Sequence, residues 1–519
     1  MEEKKIKILW VDDEIEHLKA HLLFLKEKGY FVDTATNGKD ALIMLEDNDF
    51  DLVFLDENMP GIGGLETLMR IKELRPGLPV IMITKNEAEE IMEQAIGSKI
   101  ADYLIKPVNP NQILSSIKRT IDRNSLVSKK TTTDYQAEFS KIGMQISENL
   151  TFSEWTEIYK RILYWEIELE NTDSSMNEVL LMQKNEANNL FSRFIKKNYI
   201  KWLNGDADKP LMSHRLLKDR ILPILKEGKE VVMIIIDNFR YDQWEIIRRE
   251  IGTMFSIIND EMYFSILPTA TQFARNAIFS GLLPTEIIQH YPHLWVEDDE
   301  EGSKNQTEEA LMETFFQRYR ATEYKTSYFK INDLELGKKL LENYKKISNE
   351  QFSAIVFNFV DMLSHAKTEI KMIKELIVDE AAYRSLTRSW FLHSSLFDFL
   401  KRLSHDKKTV VITTDHGTIR VQNPVKVVGY RETNTSLRFK QGKNLAYDPK
   451  SVFEVKKPEQ IFMPKPNVST TYIFATGDNF FAYPNNFNYF ASYYKDTFQH
   501  GGVSMEEMMV PFIVMEPKL

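Results

Sequence analysis

The stretch VVMIIIDNFRYDQW (231–244) decides the reading of the larger part of this chain. Six apolar residues, Val231 to Ile236, are far too few to cross a bilayer. With Glu230 before them they predict an apolar strand, Glu230 to Ile236, that ends in Asp237. Open α/β sheets gather ligand-binding residues beyond their strand ends.

The same pattern recurs on either side. Ala354 to Val360 predicts a strand ending in Asp361, with His365 one turn further on if a helix begins there. Thr409 to Thr414 predicts a strand running into Asp415-His416-Gly417. Tyr263 to Leu267 predicts a strand before Thr271, which opens a helical stretch, Gln272 to Phe279. His500 lies in HGGVSMEE, ahead of a final strand, Val510 to Met515.

The chain has no cysteine, so any metal is held by oxygen and imidazole. Asp361, His365 and His500 can hold one ion. Asp237, Asp415 and His416, with the Thr271 oxygen, can hold another. Carboxylate and imidazole sets suit Zn²⁺ when thiolate is absent. Two ions about 4 Å apart clamp the attacking and leaving oxygens of an in-line displacement. A threonine hydroxyl is a poor nucleophile until a metal lowers its pKa, and a helix N-terminus favours phosphate oxygens. A single Asp at a strand end is usually a cap or turn former. Seven such residues in order favour the two-metal site, with Thr271 as catalytic nucleophile.

The first 121 residues carry a second pattern. Ile6–Val11, Phe50–Leu55, Val80–Thr84 and Ala101–Ile105 predict strands separated by helical stretches, hence a doubly wound parallel sheet. Asp12, Asp13 and Asp56 then meet at one edge, where a divalent cation relieves their repulsion; oxygen ligands suit Mg²⁺. Asp56 can take a phosphoryl group as an acyl phosphate, with the Thr84 hydroxyl and Lys106 contacting it and Tyr103 moving with Thr84.

Residues 122–208 read as a helical connector. Asn124–Asp134 (NSLVSKKTTTD) is expected to be a loose hinge. Beyond it Trp155, Ile158, Ile162 and Trp165, and then Leu180, Leu181, Leu190, Phe191 and Phe194, recur at helical steps as bundle core.

These segments carry resemblances. VDDE (11–14), DENMPG (56–61), Thr84, Tyr103 and Lys106-Pro107 resemble the flavodoxin-like receiver domain of two-component response regulators. The resemblance implies Asp56 as phosphoacceptor, Mg²⁺ bound by Asp12, Asp13, Asp56 and Asn58, a sensor histidine kinase upstream and a phosphorylation-dependent homodimer. DNFRYDQW (237–244), PTATQFARNAIFSG (268–281), DMLSH (361–365), TTDHG (413–417) and HGGVSMEEMMVP (500–511) resemble the PglZ branch of the alkaline phosphatase superfamily. That implies, for residues 209–519, an α/β domain with a mixed sheet and two Zn²⁺. Nucleotide phosphodiesterases of this superfamily commonly carry Asn three residues after the nucleophile. Here Ala274 stands there, with Arg240, Arg275 and Asn276 as substitute phosphate contacts. A receiver joined to such a domain is similar to PorX-like regulators of type IX protein secretion, which implies a sigma factor or a secretion-motor protein as partner.

The net charge of −10 argues against a large basic footprint, and no direct duplex DNA binding is expected. Absent cysteine and short apolar runs fit a cytoplasmic protein that is not membrane-embedded. His290 and His293 read as lid or surface residues, His393 and His405 as ordinary helix or surface residues, and Glu297–Glu301 as a solvated loop. Phe480–Phe498 reads as irregular core cover, or as a wall that stacks nucleobases. Lys426, Arg431, Arg438, Lys440 and Lys443 are candidates to line an anionic cleft. The expectation is a response regulator whose effector is a zinc-dependent phosphodiesterase acting on a small phosphodiester or an oligonucleotide. The rival expectation is a phosphorylation-driven dimerising scaffold with structural metals that docks a sigma factor or secretion component.

Overall fold

The computed structural model describes residues 6–85, 100–146, 149–170, 176–206, 208–296, 305–429 and 433–518. The chain forms two compact units, Met1–Asp134 and Tyr135–Leu519.

In the first unit five strands make one parallel sheet: β1 (Lys7–Val11), β2 (Phe31–Ala35), β3 (Leu52–Asp56), β4 (Val80–Thr84) and β5 (Asp102–Ile105). Their order is β2-β1-β3-β4-β5. The central strands β3 and β4 are buried at every residue, as their apolar runs require. Strand β2 was not anticipated. It is an edge strand whose residues FVDTA are exposed or half-buried except for Ala35, so it lacks the apolar run that betrays its neighbours. Helices α1 (Lys19–Glu27), α2 (Gly38–Asp47) and α3 (Gly64–Leu74) connect the strands.

Helix α4 runs from Pro110 to Ile146. The hinge expected at Asn124–Asp134 therefore needs correction: it is helical. The segment contains neither Pro nor Gly, and its threonines each cost only a fraction of a kcal/mol, less than about 0.7, in a helix.

In the second unit, α5 (Phe152–Leu169) opens with a reciprocal cap in which Thr151 and Glu154 satisfy each other's backbone N–H. Trp155, Ile158 and Ile162 face the core. Helix α6 (Met176–Leu203) buries Leu180 and Phe191 but leaves Leu181 exposed, since adjacent helical positions cannot share a face. A six-stranded mixed sheet follows, built from β6 (Val231–Ile236), β7 (Phe255–Phe264), β8 (Thr326–Ile331), β9 (Phe352–Phe357), β10 (Thr409–Thr413) and the final strand Met509–Pro517. Strands β8, β9, β6 and β10 run parallel in that spatial order. The final strand lies antiparallel between β10 and β7. Residues of α5 and α6 belong to the same apolar cluster as this sheet. The connector helices are thus part of the second unit's core rather than a bundle with a core of its own.

Candidate metal centre and phosphoacceptor site

The ends of β6 and β10 point the same way because the strands are parallel neighbours. Asp237 follows β6, and Asp415 and His416 follow β10. Directly after Asp237 the chain turns through Asn238 in a left-handed conformation, φ 61°, which Asn tolerates better than most residues. Its amide donates to Asp361 Oδ1 at 3.2 Å and to Ser364 Oγ at 3.1 Å, tying the two halves of the site together.

Asp361 is not at a strand end as expected. Strand β9 stops at Phe357, and Asp361 sits in the first turn of α8 (Phe359–Glu369), counting α7 as Thr271–Ser280. His365 lies one turn later, its Nε2 3.5 Å from Asp361 Oδ2. His500 Nε2 lies 3.7 Å from Asp361 Oδ1. Two groups of donor atoms result, Asp361–His365–His500 and Asp237–Asp415–His416, each with its atoms within 4.8 Å of one another. Thr271 is the first residue of α7. Its hydroxyl lies 3.1 Å from His416 Nε2 and 3.4 Å from Asp237 Oδ1. His365 is 60% exposed, so the site opens to solvent on that side.

The electrostatics suit bound cations. Burial pushes the carboxyls of Asp237 and Asp415 above their ordinary range, although Arg275 opposes the shift. Burial drives the His500 imidazole down to about 3 and lowers His416 as well, so both are neutral near pH 7. The Nδ1 atoms of His416 and His500 lie 3.1 Å from the carbonyls of Gly417 and Thr269 respectively. Donation to those carbonyls leaves each Nε2 lone pair free for a ligand. The buried Asp415 Oδ2 makes no hydrogen bond. Buried carboxylates with an oxygen left without a hydrogen bond, beside neutral imidazoles, are a donor set that fits divalent metal.

Arg275 lies among the carboxylates. It donates to Asp237 Oδ2 at 3.0 Å and to Asn358 Oδ1 at 3.2 Å, and its Nε is 2.7 Å from Glu308 Oε1. Glu308 was missed: it opens the helix Glu308–Arg318 with no motif around it. Asn305 donates to the Thr271 carbonyl at 3.1 Å and to Asn276 Oδ1 at 3.4 Å. Asn276 is thus enclosed, and Ala274 faces the apolar core.

Three sequence expectations are corrected. Arg240 is not available to phosphate: it is 1% exposed and paired with Asp242 and Glu380, at 2.6 Å each. Arg438 does not line a cleft: it is buried against Glu507 at 2.5 Å. Lys440 is buried too, donating to the Asn434 carbonyl at 2.7 Å. Lys426 is exposed and Lys443 half-buried, while Arg431 and Glu297–Glu301 lie outside the described residues. His290, His293, His393 and His405 are exposed. Within Phe480–Phe498, Phe480, Phe481 and Phe498 are buried, whereas Tyr489 and Tyr493 are exposed and stack on each other.

In the first unit Asp12, Asp13 and Asp56 offer oxygens within 4.8 Å of one another. Lys106 Nζ lies 2.9 Å from Asp12 Oδ2 and 3.1 Å from Asp56 Oδ2. Burial raises Asp56 to about 6, against the pull of Lys106. The Thr84 hydroxyl donates to Glu57. Asn58 is exposed, and Tyr103 is 36% exposed on β5.

The family model for the BREX system PglZ alkaline phosphatase-like domain matches residues 216–515, more than half of the chain. The chain belongs to the PglZ family. Its PglZ domain is preceded by matches to the response regulator receiver domain at 8–118 and the PorX response regulator linker domain at 125–203. That order is the PorX-like architecture. The transcriptional regulatory protein ZraR of Escherichia coli O157:H7 is 31% identical over 143 residues, 28% of this chain and 32% of that protein. ResD of Bacillus subtilis is 30% identical over 155 residues, 29% of this chain and 64% of that protein. The chain thus spans only about a third of ZraR's length. A CheY-like receiver domain structure from Methanospirillum hungatei is 32% identical and covers 23% of this chain and 96% of its own, with TM-score 0.23. Alkaline phosphatase-like domains are generally metal-dependent, and receiver domains bind Mg²⁺ and imply a cognate sensor kinase. Among the described residues no helix is long and apolar enough to cross a membrane.

Proposed function

We propose that this chain is a response regulator whose PglZ domain is a two-zinc phosphodiesterase, with nucleotide or oligonucleotide diesters as substrates. The observation that carries the reading is the Thr271 hydroxyl, 3.1 Å from His416 Nε2 and 3.4 Å from Asp237, at the head of a helix and against the Asp237–Asp415–His416 triad. A site that only held metals structurally would need no hydroxyl there.

Asp361, His365 and His500 would hold one zinc, and Asp237, Asp415 and His416 the other. The bound ions supply charge neutralisation at the phosphoryl oxygens and acidify the attacking group. The Thr271 oxygen attacks phosphorus and the bond to one alcohol breaks, that alcohol leaving with the proton of the hydroxyl. The intermediate is a phosphodiester of Thr271 that keeps the second alcohol, and water then cleaves it to release a phosphate monoester and regenerate the hydroxyl. The amides at the start of α7 orient the phosphoryl oxygens. Asn238 and Arg275 keep Asp361 and Asp237 in place.

The PorX-like architecture supports a place in type IX protein secretion, with a sensor histidine kinase phosphorylating Asp56, dimerisation on phosphorylation, and a sigma factor or secretion-motor protein as partner. The cytoplasm suits these partners. One observation favours the scaffold reading: the core-facing Ala274 offers no phosphate contact. Hydrolysis of bis(p-nitrophenyl) phosphate separates the two. The enzyme reading expects turnover with zinc, loss on chelation, and loss in Thr271→Ala with zinc still bound. Full turnover in Thr271→Ala would remove the nucleophile; no turnover by the zinc-loaded parent on any diester favours the scaffold.

A further inference from the structure

Helix α6 lies outside the residues matched by the PglZ model and inside the linker match. Three of its buried polar side chains nevertheless end on the two chain segments that hold His500. Asn188 Oδ1 accepts from the Met505 backbone N–H at 2.8 Å, and its amide donates to Glu506 Oε2 at 3.0 Å. Lys184 Nζ lies 3.1 Å from Glu506 Oε1 and 2.8 Å from Glu166 Oε2 of α5. Four helical turns along, the Tyr199 hydroxyl accepts from the Leu267 N–H at 2.7 Å.

Both contacts lead directly to the site. Leu267 precedes Pro268-Thr269. The Thr269 carbonyl meets His500 Nδ1 at 3.1 Å, and its hydroxyl accepts from Gly501 N–H at 3.0 Å. On the other side, a Cβ on Gly417 would lie 2.1 Å from the Glu506 carbonyl oxygen. The main chain at Glu506 therefore presses on the residue next to His416. Tyr199, Asn188 and Lys184 are 0%, 2% and 7% exposed. Packing alone would be served by apolar residues, since buried polar groups are costly unless paired. These are paired, directionally, to the loops behind the metal ligands.

We infer that Lys184, Asn188 and Tyr199 are positioning residues: the linker helix sets the spacing of His416 and His500, and with it the affinity of the Asp361–His365–His500 centre for its ion. This rests on the metal reading above. It makes the linker a working part of the metal site, so that a displacement of α6 reaches the ligands through two sets of hydrogen bonds.

The test uses the full chain with zinc alone, titrated against a chromogenic chelator, and with Co²⁺, whose visible spectrum reports ligand geometry. Asn188→Asp keeps the acceptor for Met505 but sets a carboxylate against Glu506. One of two zinc equivalents is expected to weaken ten- to hundredfold, the range typical for loss of a group that orients a ligand, with a changed Co²⁺ spectrum. Tyr199→Phe, nearly the same shape, should weaken the same equivalent less. The pair Asn188→Asp with Glu506→Gln exchanges the two functional groups, keeps the net charge, and should restore the parent affinity. Unchanged zinc binding in both single variants overturns the inference, as does an exchange pair that is folded but not restored. Should Asn188→Asp fail to fold, Tyr199→Phe decides. A parent chain that binds no zinc overturns the metal reading itself and this inference with it.

Discussion

His416 and His500 lie face to face, their ring centroids 4.3 Å apart and their planes 19° from parallel. They belong to different donor triads, so the stack is the shared wall of the two candidate ion sites. His500→Ala should therefore lower zinc from two equivalents to one, and should also loosen the remaining ion by removing the ring that backs His416. Metal analysis after dialysis checks this. Two tightly held equivalents in the variant would exclude His500 as a ligand.

Removing metal should also destabilise the fold. Burial disfavours the charged carboxylates of Asp237 and Asp415, and Arg275 is the main group that offsets it in the metal-free chain. An ion that binds only the folded state stabilises it by about 2.7 kcal/mol at a hundredfold excess over its dissociation constant. A thermal melt should fall on adding a strong chelator and recover with zinc. An unmoved midpoint would mean that no ion occupies these carboxylates.

Glu507 is the keystone of the HGGVSMEE segment. It accepts from Arg438, from the Gly502 N–H at 2.8 Å and from the Ser504 hydroxyl at 2.7 Å. Both partners of the ion pair are fully buried. Arg438→Ala leaves an uncompensated buried charge, which costs about 3–5 kcal/mol. Urea unfolding should show that loss, and it should be greater than the loss for Lys426→Ala, an exposed change expected to fall within about 0.5 kcal/mol.

In the receiver domain, acetyl phosphate with Mg²⁺ should place one phosphoryl group on the chain, and Asp56→Asn should abolish it. Lys106→Ala should keep slow labelling, since Lys106 contacts Asp56 at 3.1 Å without being the acceptor. Intact mass measurement reads the result. Undiminished labelling in Asp56→Asn would move the acceptor elsewhere.

How far the sequence could be read follows from range. Strands β4 and β6 were legible because a run buried on both faces needs no outside information. The donor residues were legible because they follow such runs or sit in short motifs. Arg240 misled because its two partners, Asp242 two positions on and Glu380 140 positions away, close around it only in the fold; nearness in sequence does not say that two side chains pair. Glu308, Asn238 and Lys184 escaped for the same reason, since each acts through a contact made only in the fold. The supposed hinge at Asn124–Asp134 failed differently. The segment is polar, but polarity alone does not loosen a helix, and nothing in it breaks one.

His214 gives a pH signature separate from the metal site. Burial, with help from Arg215 and Lys209, pushes its imidazole down to about 3, and its Nδ1 is buried without a hydrogen bond. In the unfolded chain a histidine titrates near 6.5. Between these values the unfolded state binds the proton and the folded state does not. Stability is therefore fully present above about pH 6.5 and is lost as pH falls toward 3, by at most about 1.4 kcal/mol per pH unit for one proton. Urea midpoints of the parent and His214→Gln at pH 7.5 and pH 5 test this. The variant should lose less between the two pH values than the parent does. An equal loss would mean that His214 is protonated in the folded protein as readily as in the unfolded chain.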